Sequence, residues 1–285
     1  MKPSPSHSPS PAPAVSASSG DSFIQLRGVE KAFGTQRVLR GLDLDIYRGE
    51  TLVLIGPSGE GKSVLLKHII GLLRPDAGSV CFDGTLLEDL DERQLRPVRR
   101  RIGYLFQNAA LFDSLSVADN VAFPLREARV KNEDEIQQRV QEALEIVELG
   151  EHAAKMPINL SGGMRKRVGI ARAIVDQPEI LLYDEPTAGL DPIVTDVIDH
   201  MIRRMKKRFG ITSVVITHDM GSVFKVADRI AMLMKGVIYF EGTPKELRSS
   251  RDPLLRNFIT GRSEMTMRSG WGDRAPAHDN PIHPD

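Results

Sequence analysis

Residues Gly56 to Ser63 constrain this chain more than any other stretch. They read Gly-Pro-Ser-Gly-Glu-Gly-Lys-Ser and match the pattern G-x-x-x-x-G-K-[ST] at every fixed position. A short apolar run at 50–55 precedes them, and residues 64–70 have the apolar spacing of a helix. Glycine adopts backbone angles closed to other residues, so successive N–H groups can turn inward around phosphate oxygens. The sequence therefore predicts a strand, a phosphate-binding loop (P-loop) and a helix, in that order.

The P-loop also predicts which groups contact a nucleotide and its metal ion. Lys62 is expected to reach the β- and γ-phosphates, and Ser63 to ligate Mg²⁺. The expected nucleotide contacts are Gly56, Pro57, Ser58, Gly59, Glu60, Gly61, Lys62, Ser63 and Val64. Taken alone, the motif leaves kinases and GTPases open.

Composition narrows the class of protein further. The 285 residues carry 38 Lys and Arg against 38 Asp and Glu, so no net charge points to nucleic acid, and we expect no nucleic-acid partner. The single cysteine, Cys81, excludes an internal disulfide and a multi-cysteine metal site. No apolar run approaches the roughly 18 residues that span a bilayer. We expect a soluble chain without a membrane span or a secretion signal.

The order of patterns along the chain predicts an α/β fold with two additions to its core. Residues 1–21 are rich in Ser, Pro and Ala and are predicted to be a disordered tail, as are residues 261–285. Residues 23–26 and 38–46 alternate apolar and polar side chains, which indicates a small antiparallel sheet. Residues 116–150 turn helical and charged. We predict one nucleotide-binding domain over 22–260, with a helical subdomain at about 108–177.

Three further stretches bring chemistry to the ends of predicted elements. Leu160-Ser161-Gly162-Gly163-Met164 opens a helix, which makes a second anion-binding N-terminus. The apolar strand 180–184 delivers Asp184 and Glu185 at its carboxyl end, where ligands bind in parallel sheets. A third apolar strand, 213–217, ends at His218.

With the P-loop, Gln107, the Leu160–Met164 turn, Asp184-Glu185 and His218 in this order, the chain resembles the nucleotide-binding subunits of ABC (ATP-binding cassette) transporters. The resemblance runs from about Phe23 to Thr243. It implies a RecA-like P-loop NTPase core with an antiparallel β-subdomain and a helical subdomain. It also implies ATP and Mg²⁺ as ligands and ATP hydrolysis coupled to transport.

The resemblance assigns a role to each matching residue. Phe33 would stack on adenine, and Asp184 and Gln107 would join Ser63 around Mg²⁺, with Gln107 also sensing the γ-phosphate. Glu185 would polarise the attacking water, and His218 would contact the γ-phosphate. Such proteins form head-to-tail dimers with two ATP between them. The nucleotide contacts expected from the second copy, or at its interface, are Ser161, Gly162, Gly163 and Asp191.

Longer strings indicate which ABC system the chain resembles. Leu160 to Val168, Phe106 to Leu115 and Asn120 to Glu127 are similar to the ATPase of the Mla phospholipid-trafficking pathway and to Mce-type lipid importers of double-membraned bacteria. The family's common signature continues with Gln where this chain has Met164, which removes a polar side chain but leaves the backbone donors. This implies a location on the cytoplasmic side of the inner membrane, a permease partner, an Mce-domain lipid-binding protein and a small STAS-type accessory protein.

Three alternatives stay open from the sequence. The first is an ABC importer for another cargo, and the second is a soluble ABC ATPase acting on chromosomes or ribosomes. The third is a non-transport regulatory cassette, which would carry substitutions at catalytic positions. This chain carries none at Lys62, Asp184, Glu185 and His218.

Overall fold

Two sheets organise residues 22–261, the part of the chain that the computed structural model describes. The smaller is antiparallel and consists of β1 (Ser22–Phe33), β2 (Gln36–Tyr47), β4 (Ala77–Phe82) and β5 (Thr85–Leu86), in the order β2-β1-β4-β5. The larger consists of β3 (Thr51–Ile55), β6 (Ile102–Leu105), β7 (Ile180–Asp184), β8 (Thr212–Ile216), β9 (Arg229–Met234) and β10 (Val237–Gly242), in the order β10-β9-β3-β8-β7-β6. Its strands are parallel except for β10, which forms a hairpin with β9.

Nine α-helices and two short 3-10 helices, Gly150–His152 and Pro157–Asn159, surround these sheets within the described residues. The α-helices are α1 (Lys62–Ile69), α2 (Glu92–Arg100), α3 (Val117–Glu127), α4 (Glu133–Ile146), α5 (Gly162–Ile174), α6 (Pro192–Phe209), α7 (Met220–Val226), α8 (Pro244–Ser249) and α9 (Pro253–Thr260). Every helix from α2 to α9 begins at a Ser, Thr, Asp or Asn whose side chain accepts a backbone N–H of the first turn. The exception is α1, which begins at Gly61. The first N–H groups of α1 are therefore not capped by a side chain.

The central sheet separates two hydrophobic cores, and β3 shows how the sequence divides them. Its five residues are all buried, with Val53 and Ile55 on one face and Leu52 and Leu54 on the other. Alternate residues of a strand point to opposite faces, so an unbroken apolar run buries both. One core holds the helical part with α3, α4 and α5, and the other holds α1 and the small sheet.

The arrangement agrees with the predicted α/β class, its antiparallel sheet and its helical addition. The two predicted disordered tails lie outside the described residues, apart from Gly261 at the end of α9. Among residues 22–261, no helix combines the length and apolarity needed to cross a membrane.

Candidate functional site

The P-loop joins the end of β3 to the start of α1, and its glycines are required by close contacts. A Cβ at Gly56 would lie 2.1 Å from the carbonyl oxygen of Leu233, and one at Gly61 would lie 2.6 Å from Val38 Cγ1. Both residues also have positive φ, 140° and 98°. Any side chain at these positions would be strained and would fill space against the neighbouring strands. Glycine at these two positions therefore allows the loop to pass close to β9 and β2.

Lys62 is the charge inside this loop. Its Nζ donates hydrogen bonds to the carbonyl oxygens of Gly56 and Pro57, each at 2.8 Å, and the residue is only 9% exposed. Burial lowers the pKa of Lys62, while the carboxylates of Glu185, Glu60 and Asp184 act in the opposite direction. A buried ammonium group, held by the loop that would surround the phosphates, is well suited to bind the β- and γ-phosphates.

Ser63 and Asp184 meet beside the lysine, as the sequence predicts for a magnesium site. Ser63 Oγ donates to Asp184 Oδ1 at 3.1 Å, and the Tyr104 hydroxyl donates to Asp184 Oδ2 at 3.3 Å. No cluster of three or more His, Cys, Asp or Glu side chains forms a metal site in the described part of the chain. One hydroxyl and one carboxylate fit Mg²⁺, which binds few protein ligands and completes its octahedron with phosphate oxygens and water.

Glu185 follows Asp184 with a left-handed backbone, at φ 51°. His218, which follows β8, brings its Nδ1 to 2.9 Å from Glu185 Oε2. The ring is not aligned for a hydrogen bond, and this buried oxygen accepts none from the described residues. The parallel pairing of β7 with β8, and of β8 with β3, brings both side chains to the sheet edge that carries the P-loop.

Gln107 lies in the turn directly after β6, where its side chain is exposed. Its carbonyl oxygen accepts a hydrogen bond from Lys166 Nζ on α5, which also donates to the carbonyl oxygen of Glu185 at 2.9 Å. Burial lowers the pKa of Lys166, while the carboxylates of Glu185 and Asp184 oppose that shift. One buried lysine thus joins the predicted γ-phosphate sensor to the predicted water-polarising residue.

Residues 160–164, called the signature turn below, include the first residues of α5 and contain the second predicted anion site. Ser161 caps the helix by accepting from Met164 N at 3.3 Å. Gly162 is half-buried, and a Cβ added there would have Leu190 Cδ2 as its nearest neighbour, at 3.5 Å. A Cβ at Gly163 would lie 2.3 Å from Val194 Cγ1. Gly163 is therefore required for packing of α5 on α6, whereas Gly162 has space in front of it.

Two predicted contacts lie in surroundings that do not by themselves indicate a nucleotide. Asp191 Oδ1 accepts from the backbone N–H groups of Ile193 and Val194, at 2.9 and 3.0 Å, so it caps α6 within its own chain. Phe33 ends β1 and is 48% exposed. The role of Phe33 in stacking on adenine, and that of Asp191 at a dimer interface, stay predictions.

The structure thus brings Lys62, Ser63, Asp184, Glu185 and His218 together at one edge of the sheet. Gly162 instead lines a cavity of about 280 Å³ with Gln107, Lys166 and Leu190, and no P-loop residue lines it. In this cavity, Gly162 of the predicted signature turn therefore lies apart from the P-loop of its own chain.

Four residues of this region were not predicted from the sequence: Tyr104, Asn120, Lys166 and Arg172. Asn120 is fully buried on α3, and its side chain bonds the backbone of Phe112, Leu115 and Ser116. A polar residue on the apolar face of a helix was the available signal for Asn120. Lys166 was hidden within the basic run 165–167, and Arg172 stands alone in an apolar stretch of the same helix. Tyr104 gave no signal within its apolar strand.

Comparisons with known proteins agree with this geometry. The sequence model of the family described as ABC transporter matches residues 39–188. A probable ribonucleotide transport ATP-binding protein, mkl, of Mycobacterium leprae (strain TN) is 43% identical over 239 residues, which cover 84% of this chain and 69% of that protein. The methionine import ATP-binding protein MetN of Brucella abortus (strain 2308) is 41% identical over 237 residues, which cover 83% of this chain and 64% of that protein.

Solved structures extend the agreement to three dimensions. The ATP-binding cassette MJ0796, in a dimeric post-hydrolysis state bound to ADP and Pi, superposes with a TM-score of 0.71 at 34% identity, covering 77% of this chain and 98% of that chain. The structure of cbiO1 from Clostridium perfringens, part of the transporter complex cbiONQ, gives 0.74 at 32% identity, covering 83% and 94%.

Proposed function

Because the chain belongs to the family of ABC transporter ATP-binding subunits, we propose that it drives phospholipid transport between the inner and outer membranes. The predicted family and fold class are confirmed. The protein is an ATPase that binds ATP with Mg²⁺, and cassettes of this family dimerise and pair with membrane permeases. The phospholipid cargo and the roles of individual residues are the proposal.

The proposed residue roles follow from what phosphoryl transfer requires, which is mainly positioning and charge directed at the transferring group. Lys62 binds the β- and γ-phosphates, and Ser63 and Asp184 hold Mg²⁺, which neutralises phosphate charge when bound. Glu185 polarises the attacking water or takes up its proton, because Glu185 Oε2 accepts no hydrogen bond from the described residues. His218 beside it orients the γ-phosphate.

The observation that carries the phospholipid proposal is where its three resembling strings lie. Arg172 of α5 bonds Ala109 and Ala110, which belong to the string 106–115. The string 120–127 lies within α3, which packs on α5, and the start of α5 holds the string 160–168. The resemblance to lipid systems is therefore concentrated in one region, around Gln107, rather than spread over the domain. A region beside the γ-phosphate sensor is suited to relay ATP turnover to a permease.

This region also exposes an aromatic pair suited to bind such a permease. Phe112 and Phe123 are 43% and 36% exposed, and their ring centroids lie 4.7 Å apart. Asn120 bonds both backbone groups of Phe112 and the carbonyl oxygen of Leu115, so the pair is held before any partner binds. Rigid aromatic anchors contribute much of the affinity of protein interfaces. Leu111, in contrast, packs against the core of its own domain.

Replacing the aromatic anchor tests the docking surface. Phe112→Asp is expected to weaken permease binding by roughly thirtyfold, as the loss of an anchor of about 2 kcal/mol does. Phe209→Asp is the matched control, because Phe209 is 44% exposed at the far end of α6. Sedimentation with membranes is the measurement, and ATP binding and melting temperature verify folding. Equal detachment of both variants, or unfolding of Phe112→Asp alone, would refute the docking surface.

Transport in cells tests the cargo. Loss of the chain, or Glu185→Gln, is expected to leave phospholipid in the outer leaflet of the outer membrane. Uptake of labelled methionine and of ribonucleotides should stay at the wild-type level, because these cargoes are the alternatives that the names of the two relatives suggest. Normal lipid asymmetry combined with a lost uptake activity would overturn the phospholipid proposal and leave the ATPase in place.

The remaining partners and the location belong to the same proposal. We expect the chain on the cytoplasmic side of the inner membrane, bound to its permease. Co-purification is expected to recover an Mce-domain lipid-binding protein and a small STAS-type protein with it. Recovery of a periplasmic methionine- or nucleotide-binding protein instead would contradict the lipid assignment.

A further inference from the structure

Three residues at the site have backbone conformations that side chains normally avoid. Within residues 22–261, eight non-glycine residues have positive φ, and Ala109, Ala110 and Glu185 are among them, at 58°, 47° and 51°. Ala109 and Ala110 follow Gln107 in one turn, and Glu185 is the proposed water-polarising residue. Strained backbone of this kind persists where surrounding contacts hold it in place.

Both segments are held by cations from the same helix, α5. Lys166 donates to the carbonyl oxygens of Gln107 and Glu185, and the residue is 5% exposed. Arg172, almost two turns further along the helix, donates to the carbonyl oxygens of Ala109 and Ala110, at 2.6 and 2.7 Å. All three strained residues therefore have a carbonyl oxygen bonded by Lys166 or Arg172. Burying a cationic group is costly, and here the carbonyl oxygens offset that cost by accepting hydrogen bonds from the Lys166 ammonium and the Arg172 guanidinium.

The same helix begins at the signature turn. Ser161 caps α5, and Gly162 is its first residue, so the groups proposed to contact the second copy's ATP are rigidly continuous with Lys166. Lys166 lies about one turn from Gly162, since a helix has about 3.6 residues per turn. A movement of the signature turn is thereby transmitted to the backbone of Gln107 and Glu185 without any intervening loop.

We propose that Lys166, supported by Arg172, is a positioning residue that fixes Gln107 and Glu185 from α5 and so couples the two ATP sites of the dimer. Contact of Gly162 with the second copy's nucleotide sets the position of α5, and α5 sets the geometry of the γ-phosphate sensor and the water-polarising carboxylate in its own chain. The inference rests on the roles proposed above for Gln107 and Glu185.

The test compares Lys166→Met with Arg167→Met in the full chain. Met retains much of the length of lysine and removes the donor, and Arg167 is the adjacent cation of α5, which bonds the carbonyl oxygen of Val147 away from Gln107. We expect Lys166→Met to lower kcat by on the order of tenfold to a hundredfold, as misplacement of catalytic groups does. KM and the stoichiometry of bound nucleotide should stay within about twofold, which separates positioning from loss of folded protein. Arg167→Met should leave kcat near the wild-type value.

Amide hydrogen exchange is the second readout. In Lys166→Met, exchange is expected to accelerate at 107–110 and 185–188 and to stay unchanged in β3 and α1. A purely structural role would instead lower the melting temperature and accelerate exchange across the domain. If Lys166→Met does not fold, Arg172→Met is the variant that tests the inference. We expect it to show faster exchange at 107–110 and a fall in kcat smaller than the one predicted for Lys166→Met.

The outcomes distinguish this inference from the proposed residue roles. Wild-type kcat and wild-type exchange in Lys166→Met would overturn the inference, as would the same result in Arg172→Met if Lys166→Met does not fold. The proposed residue roles would still stand if Glu185→Gln is inactive. Wild-type turnover in Glu185→Gln would remove the roles themselves. A fall in kcat in Arg167→Met equal to that in Lys166→Met would also overturn the inference. Loss of kcat would then not be specific to the hydrogen bonds that Lys166 makes.

Discussion

Glu185 shows how a single residue combines strain, burial and charge. Its left-handed backbone costs on the order of 1–3 kcal/mol, and such a cost is retained where it directs a side chain. Its N–H donates to the carbonyl oxygen of Ile216 at 3.0 Å and its own carbonyl accepts from Lys166 at 2.9 Å, so the backbone is held from both sides. The carboxylate is thereby held with its Oε2 2.9 Å from His218 Nδ1.

Glu185→Gln is expected to bind ATP normally and to lose turnover. The amide retains the shape of the carboxylate but gives up its charge and basicity, and losing a general base commonly costs about 10²–10⁴ in rate. Steady-state ATPase activity and nucleotide affinity are the two measurements. Turnover within a few-fold of wild type would show that another group polarises the water.

Lys62→Ala is expected to differ from that variant by weakening nucleotide binding itself. Hydrogen bonds to charged groups contribute about 1.5–3 kcal/mol, so affinity should fall by roughly tenfold to a hundredfold. Lys67→Ala is the control, because Lys67 is an exposed lysine of the same helix. Titration with a fluorescent ATP analogue measures both, and equal affinities would contradict the assignment of Lys62.

At the scale of elements, α5 and α6 pack so closely that one of two adjacent glycines is indispensable. Gly163→Ala is expected to destabilise the domain by about 1–3 kcal/mol, because its methyl group would overlap Val194. Gly162→Ala should be close to neutral, since its methyl group meets only Leu190, at an ordinary distance of 3.5 Å. Thermal unfolding of the two variants is the measurement. Similar melting temperatures would show that the helices adjust to the added methyl group.

Elements with a strong local signal were predictable from the sequence. The P-loop, the apolar strands before Glu185 and His218, and the antiparallel pairing of β1 with β2 all follow from short motifs or alternation. The contacts of Lys166 were not predictable, because they join residues 59 and 19 positions apart through a packed interior. The basic run at 99–101 predicts a solvated edge, but it does not indicate that Arg101 pairs there with Glu179 and Asp83. A run of charges does not indicate which partners the fold will supply.

At the scale of the molecule, an ion-pair network joins the small sheet to the central one. Arg48 and Arg101 each pair with both Asp83 and Glu179, and the guanidinium of Arg48 also lies 3.8 Å from the ring centroid of Phe23. Asp83 follows β4, and Glu179 precedes β7. The network thereby links the small sheet, which carries Phe33, to the central sheet, which carries the P-loop at the other end of its strands. Gly162 of the signature turn lines a cavity without any P-loop residue of its own chain, and we propose that this turn completes a site in a second copy.

Complementation between two damaged copies tests most directly whether each ATP site combines the P-loop of one copy with the signature turn of the other. Gly162→Asp is expected to bind ATP as a monomer but not to hydrolyse it, and Lys62→Ala is expected to be inactive. When the two are mixed, mixed dimers combine one intact site with one doubly damaged site. ATPase activity of an equimolar mixture should therefore rise above that of either variant alone, to at most about a quarter of wild type if sites act independently. A mixture that neither hydrolyses ATP faster than its components nor forms mixed dimers with ATP bound at the intact site, or a Gly162→Asp monomer that cannot bind ATP, would contradict the shared site.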